Sequence, residues 1–186
     1  MGKLHAEIDD RLRAFIAKQQ MFFVASAPSG PDGHVNCSPK GLDTFRILGP
    51  TRVAYLDFVG SGVETIAHLR QNGRVVLMFC AFDGQPLIVR LHGRGVAVEP
   101  RDPEFAALRA GFAEARGVRA VVRVDLTRIS DSCGYGVPLY RYQGERPQMG
   151  EWAERKGEAG LEKYQREKNA RSLDGLPGLR WTEAGD

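Results

Sequence analysis

The sequence predicts a mainly β protein, an antiparallel barrel with flanking helices. Six or seven segments have the length and apolar content of strands. They follow one another as hairpins around turns rich in Gly and Pro, instead of alternating with helices as in a doubly wound sheet. Helical periodicity is confined to two short stretches between strands and to the two ends of the chain. With 186 residues, of which 42% are apolar, the chain is long enough to bury a core of its own.

The N-terminal part is predicted to form a helix followed by a hairpin. Apolar residues recur at helical spacing over residues 3–19, with charged residues between them. Residues 21–27 and 34–40 are predicted as two strands, joined by the turn at residues 28–33.

Three strands and a short helix are predicted in the middle of the chain. Ser61 and Glu64 match a capping box, in which the serine caps a helix and the glutamate reaches back to it. Asn72-Gly73 is a typical helix stop. The strands are residues 52–59, 74–82 and 86–98.

The C-terminal part is predicted to contain one more strand and a helical extension. Asp102-Pro103 is typical of a helix start, with Asp as the cap and Pro at the first position. Residues 119–129 alternate apolar and polar side chains, as in a strand with one wet face. Residues 150–170 are charged and mostly helical. We therefore predict a barrel domain over residues 1–145 and a helical extension over residues 146–186.

Charge and cysteine content narrow the class of function. The 26 basic and 23 acidic residues leave a net charge of +3, too small to favour a nucleic acid or a membrane surface as partner. No apolar run approaches the ~20 residues of a membrane span, and the N-terminus does not have the pattern of a secretory signal. Three widely spaced cysteines favour neither a disulfide framework nor a metal site, and they suit the cytoplasm.

The strand at residues 34–40 is the first candidate site. Period-two alternation places Asn36, Ser38 and Lys40 on one face. Lys40 is the only lysine between Lys18 and Lys156, and a compact ammonium suits a phosphate or the edge of a flavin. A solvated hairpin face is the alternative.

The loop Gly60-Ser61-Gly62 is the second candidate site, because a helix N-terminus after a glycine-rich loop can hold a phosphate. A plain capped turn is the alternative, since Glu64 in the first helical turn would repel a phosphate.

Arg90 is the third candidate, because a lone arginine in an apolar strand either meets an anion or points to solvent. Arg74 is a neighbour in the preceding strand. No residue is assigned a catalytic role.

Taken together, these segments resemble the pyridoxamine 5′-phosphate oxidase-like family of FMN-binding split barrels. The resemblance covers about residues 4–142, and it is closest to a subgroup with SPKG, GSGxET and SCGYGVP stretches. It is carried by residues 34–41 (HVNCSPKG), 53–65 (VAYLDFVGSGVET), 72–79 (NGRVVLMF) and 88–95 (IVRLHGRG).

The resemblance implies a six-stranded antiparallel split β-barrel, a homodimer, and FMN bound in clefts between the two subunits. Lys40 stands where such proteins carry a cation that contacts the flavin, and Arg90 corresponds to an arginine beside the flavin. The family's phosphate-binding turn corresponds to Phe58, Val59 and residues 61–65.

Two departures from the family qualify the expected function. The oxidase carries a basic pair at the phosphate turn, where this chain has Glu64-Thr65, so the phosphate would rely on Ser61, Thr65, backbone N–H groups and Arg74 or Arg90. The C-terminal signature for the vitamin B6 substrate is not recognisable, so vitamin B6 oxidation is not expected.

The sequence therefore favours a cytoplasmic FMN-dependent oxidoreductase that acts on a small molecule. The alternatives are a non-enzymatic protein that binds or senses through a flavin, heme or deazaflavin, and a dimeric scaffold that has lost its cofactor.

Overall fold

The computed structural model describes residues 2–182, which form one antiparallel sheet with four flanking helices. The strands lie in the order β3-β2-β6-β7-β8-β5-β4, with β1 paired to β8. Every strand pair is antiparallel, as the hairpin pattern predicts. The strands are β1 (Leu4–His5), β2 (Phe22–Ser26), β3 (Asn36–Lys40), β4 (Phe45–Gly49), β5 (Arg52–Phe58), β6 (Arg74–Cys80), β7 (Ile88–Val98) and β8 (Val118–Ser132).

The sheet curls on itself around an aromatic core, and the gap between its two end strands is the split. β3 and β4 share no ladder within residues 2–182. Phe45 on β4 nevertheless packs against Phe22 on β2 and Phe79 on β6, with ring centroids 5.4 and 4.9 Å apart. Such a contact between distant strands requires a strongly curved sheet. The mainly β fold class is confirmed, but the structure adds β1 and β4 to the six predicted strands. β1 has only two residues, and β4 is half-buried at four of its five positions and therefore shows no clear alternation.

The helices are α1 (Asp10–Ala17), α2 (Glu64–Asn72), α3 (Phe105–Arg109) and α4 (Gln148–Lys168). The helix predicted over residues 3–19 begins late, because Asp9 caps it by accepting from the Leu12 N–H at 2.8 Å. Gly73 ends α2 in the left-handed conformation, at φ 69°, as predicted. No helix within residues 2–182 is long and apolar enough to cross a membrane.

Two predicted helix caps are wrong, because the Glu64 and Asp102 carboxylates bind groups outside the helix starts. The N-cap of α2 is Val63, without a side-chain cap, and the Glu64 carboxylate accepts from the distant Leu173 N–H at 3.2 Å. The Asp102 carboxylate accepts from the Glu99 N–H at 2.7 Å, and α3 begins only at Phe105.

The C-terminal extension packs against the barrel. Ala153 and Leu161 of α4 cover Val59, which follows β5. The chain then turns back, and Leu179 is fully buried in the main core. The Asn169 side-chain amide donates to the Gly60 carbonyl at 2.9 Å, so the extension also holds the loop before α2.

We predict that Gly178→Ala destabilises the protein by ~1–3 kcal/mol, because the added methyl group would overlap the Asn169 carbonyl oxygen and Val63. Urea unfolding of the full chain measures the change. Gly150→Ala is the control, since a methyl group there meets nothing within 4 Å. Equal stability of the two variants would contradict the close packing of the extension.

Candidate functional site

A pocket of about 390 Å³ opens at the end of the barrel where β3, the loop between β5 and α2, and the start of β8 meet. Its volume lies in the range of small-molecule sites. Six of the residues that the sequence singled out line it: Asn36, Ser38, Lys40, Phe58, Val59 and Ser61. Leu42, Leu56 and Met149 add apolar surface, so the pocket combines polar and apolar walls.

The polar row of β3 forms as the alternation predicts. Asn36, Ser38 and Lys40 are half-buried, whereas the residues between them are exposed. The Asn36 amide donates to Ser38 Oγ at 3.1 Å and to Thr65 Oγ1 at 2.9 Å. Thr65, also predicted as a site residue, lies in the first turn of α2 and therefore ties this turn to the row.

A buried carboxylate holds two cations at the pocket. Asp57, at the end of β5, is fully buried. Lys40 Nζ lies 2.7 Å from its Oδ1, and Arg119 Nε lies 2.8 Å from its Oδ2. Arg119 also donates from Nη1 to the Gly62 carbonyl at 2.7 Å. Two cations share one carboxylate, so this triad of Lys40, Asp57 and Arg119 carries a net charge of +1.

The two cations keep Asp57 ionised. Burial alone would raise the pKa of this carboxyl, but Arg119 and Lys40 outweigh burial and lower its pKa to about 2. Nearby, burial and the negative charge of Asp57 raise the pKa of Tyr55, so its phenol stays protonated. Asp57 is therefore a fixed counter-ion and not a proton carrier.

Glu64 lies on the rim of the same pocket. The negative charges of Glu64 and Asp57 equal the positive charges of Lys40 and Arg119, so the four side chains together carry no net charge. Glu64 thus places a negative charge at the start of α2, as the sequence suggested.

A larger groove of about 2150 Å³ adjoins the pocket and shares Lys40, Ser61 and Met149 with it. Its walls include Phe82 and Tyr140, which stack with ring centroids 5.4 Å apart.

Arg74 and Arg90, the two other predicted site residues, do not join the pocket within one chain. Arg90 pairs across the sheet with Met78, which pairs with Phe23, which in turn pairs with Pro39. Paired residues share a face of the sheet, so Arg90 lies on the face opposite Lys40. Arg74 donates to the Pro28 carbonyl at 3.2 Å and does not line the pocket.

Sequence reasoning missed Asp57 and Arg119. Asp57 had a visible signal, because a lone carboxylate in the apolar run of residues 52–59 must find a partner when buried. Nothing in the sequence indicated which cation would pair with it. Among residues 2–182 no three His, Cys, Asp or Glu side chains are arranged to hold a metal ion.

We predict that Asp57→Asn lowers the free energy of unfolding at pH 7 by roughly 3 kcal/mol, because two cations lose their counter-ion. The folded pKa of about 2 lies below the ordinary 3.8, so the ionised carboxylate stabilises the fold above pH ~4 and this contribution fades as the pH falls toward 2. The gap between wild type and variant should close over that window in urea unfolding.

Asp125→Asn is the control, because Asp125 pairs with Arg52 at the surface. It should change stability by less than about 1 kcal/mol. A gap for Asp57→Asn that stays constant between pH 7 and pH 2 would contradict the role of the carboxylate.

Comparison with known proteins agrees with this architecture. Among solved structures, HupZ of Group A Streptococcus has a TM-score of 0.52 at 20% identity, over 66% of this chain and 91% of HupZ. A Clostridium acetobutylicum protein related to general stress protein 26, of the pyridoxinephosphate oxidase family, has a TM-score of 0.51 at 10% identity, over 66% of this chain and 86% of that protein. At these identities the likeness shows the fold alone.

Sequence comparison identifies the family. The family pyridoxamine 5′-phosphate oxidase matches residues 8–133. The pyridoxamine 5′-phosphate oxidase family protein ustO of Aspergillus flavus is 43% identical over 198 residues, which cover 96% of this chain and 78% of ustO. The expected resemblance is confirmed, and the chain belongs to the pyridoxamine 5′-phosphate oxidase family.

Proposed function

We propose that the pocket binds FMN and that the protein is an FMN-dependent oxidoreductase acting on a small molecule. One observation carries the proposal: the Asn36-Ser38-Lys40 row and several apolar side chains line one pocket of ligand size. An isoalloxazine ring has apolar faces and a polar edge, and this pocket offers a matching surface to each. Membership in an oxidase family supports the assignment.

The donor set of the pocket fits the ring of a flavin. Ser38 offers a hydroxyl group, which Asn36 holds in place, to the polar edge, and Lys40 offers an ammonium held in place by Asp57. Bound FMN would supply the redox chemistry. The chain orients the ring, limits the access of water with apolar residues such as Met149, and offers positive charge beside the ring through the triad. A substrate would approach along the adjoining groove.

We also propose a cytoplasmic homodimer. Phe23, Val76 and Met78 form a half-buried apolar patch on the sheet face that carries Arg90, next to the exposed Pro39. A second copy on this face would cover the patch, and it could bring Arg90 toward a pocket of its partner. Cys37, Cys80 and Cys133 are all free thiols, which suits a reducing compartment.

A scaffold or carrier without redox turnover is the second candidate, because Glu64 opposes a phosphate on the pocket rim. Titration of the purified protein with FMN, followed by reduction with NADH or NADPH, tests the proposal. Saturable binding with turnover of the reductant supports an oxidoreductase. Binding without turnover supports a carrier or sensor, and no binding of FMN supports the scaffold.

We predict that Glu64→Gln tightens FMN binding by about 3- to 10-fold, since a like charge near the phosphate is removed. Riboflavin, which lacks the phosphate, should bind wild type and variant equally. Flavin fluorescence titrations measure both affinities. An equal gain for the two flavins would contradict repulsion of the phosphate.

We predict that Lys40→Ala lowers the midpoint potential of bound FMN by tens of millivolts, because the triad loses the positive charge that favours a negatively charged, reduced ring. Spectroelectrochemical titration measures the potential. Lys18→Ala is the control, since Lys18 lines the groove but not the pocket. An unchanged potential and FMN affinity in Lys40→Ala would contradict the placement of the ring.

A further inference from the structure

Arg119 is a buried cation whose bonds within the protein use only part of its guanidinium. The residue is 6% exposed and lines the pocket. Nε is bound to Asp57 and Nη1 to the Gly62 carbonyl. Nη2 donates to no group within residues 2–182. Several polar atoms without a partner are fully enclosed, but Nη2 is not one of them. The unused nitrogen therefore keeps some exposure, in a residue that lines the pocket.

The bonds of Arg119 place this nitrogen beside the loop that leads into α2. The Gly62 carbonyl belongs to the Gly60-Ser61-Gly62 loop, which lines the same pocket. Asp57 holds Nε and the Gly62 carbonyl holds Nη1, so the position of the guanidinium is set before any ligand arrives. A preorganised guanidinium beside a helix N-terminus is a site for a phosphate oxygen, because the planar fork donates in fixed directions.

The other cations are less suited to this task. Arg74 and Arg90 lie outside the pocket, and among residues 2–182 the only cations that line it are Lys40 and Arg119. Lys40 lies on β3, next to Ser38 and Asn36, where the polar edge of the ring would bind.

We propose that Arg119 binds the terminal phosphate of the ligand in this pocket and so replaces the basic pair that Glu64-Thr65 lacks. The assignment of that ligand as FMN rests on the proposed function, whereas the phosphate-binding role of Arg119 can be tested without it. Ser61 and the α2 N-terminus would complete the phosphate site, with Glu64 weakening it.

The test compares FMN, riboflavin and inorganic phosphate as ligands of the full-length protein by calorimetry. Arg119→Gln should weaken FMN binding by about 10- to 100-fold, the value of a charge-assisted hydrogen bond. Riboflavin binding should change by less than about threefold. Arg123→Gln is the matched control, because Arg123 lies on the same strand but pairs with Glu104 outside the pocket.

Arg119→Lys is a second variant, which keeps the proposal testable if Arg119→Gln does not fold. A lysine keeps a cation for Asp57 but cannot also reach Gly62 and a ligand with a planar fork. It should therefore keep the unfolding temperature near that of wild type and still weaken FMN more than riboflavin.

Each outcome bears on the proposal. Equal losses for FMN and riboflavin in folded Arg119→Lys would overturn it, because the arginine would then be structural only. If wild type binds neither flavin, the proposed FMN function fails. In that case, inorganic phosphate still tests Arg119. Phosphate binding that is lost in Arg119→Lys but kept in Arg123→Gln would support the proposal. Wild type that binds no phosphate, or Arg119→Lys that binds phosphate as wild type does, would overturn it.

Discussion

The buried carboxylate of Asp57 is the interaction on which the candidate site depends. An ionised carboxylate without exposure to water is tolerated only when cations and hydrogen bonds compensate for its lost hydration. Lys40 and Arg119 provide both, and they come from β3 and β8, which are not neighbours in the sheet. The same contacts that stabilise this end of the barrel therefore fix the two cations that a ligand would meet, so stability and the proposed binding would depend on one network.

The C-terminal extension acts on the same region from the outside. Asn169 holds the Gly60 carbonyl, the Leu173 N–H engages Glu64, and Met149 lines the pocket. The loop before α2 is thus held between Arg119 on the inside and the extension on the outside. A loop held on both sides loses little conformational freedom when a ligand binds, which favours affinity.

The charges around the pocket divide it into two parts. The row on β3 offers hydrogen bonds and an ammonium. At the loop before α2, the positive charge of Arg119 from β8 is balanced by the negative charge of Glu64 in α2. Because the local charges nearly balance, affinity for a phosphorylated ring would come mainly from the ring and less from its phosphate. This balance distinguishes the chain from the basic phosphate turn of its family, and for this reason we expect the charge of residue 64 to affect the choice of ligand.

Much of the fold and half of the site follow from local patterns in the sequence. The hairpins, the left-handed stop at Gly73 and the shared face of Asn36, Ser38 and Lys40 depend on periodicity and turn chemistry between near neighbours, which a single chain displays directly. The partners of Asp57 and Glu64 and the face of the sheet occupied by Arg90 were decided only by the tertiary structure. Asp57 and Arg119 are 62 residues apart, and Leu173 is 109 residues from Glu64. Strand order and register decide which arginine lies beside a buried carboxylate. Electrostatic attraction acts through space, so such a pair has no characteristic spacing in the sequence.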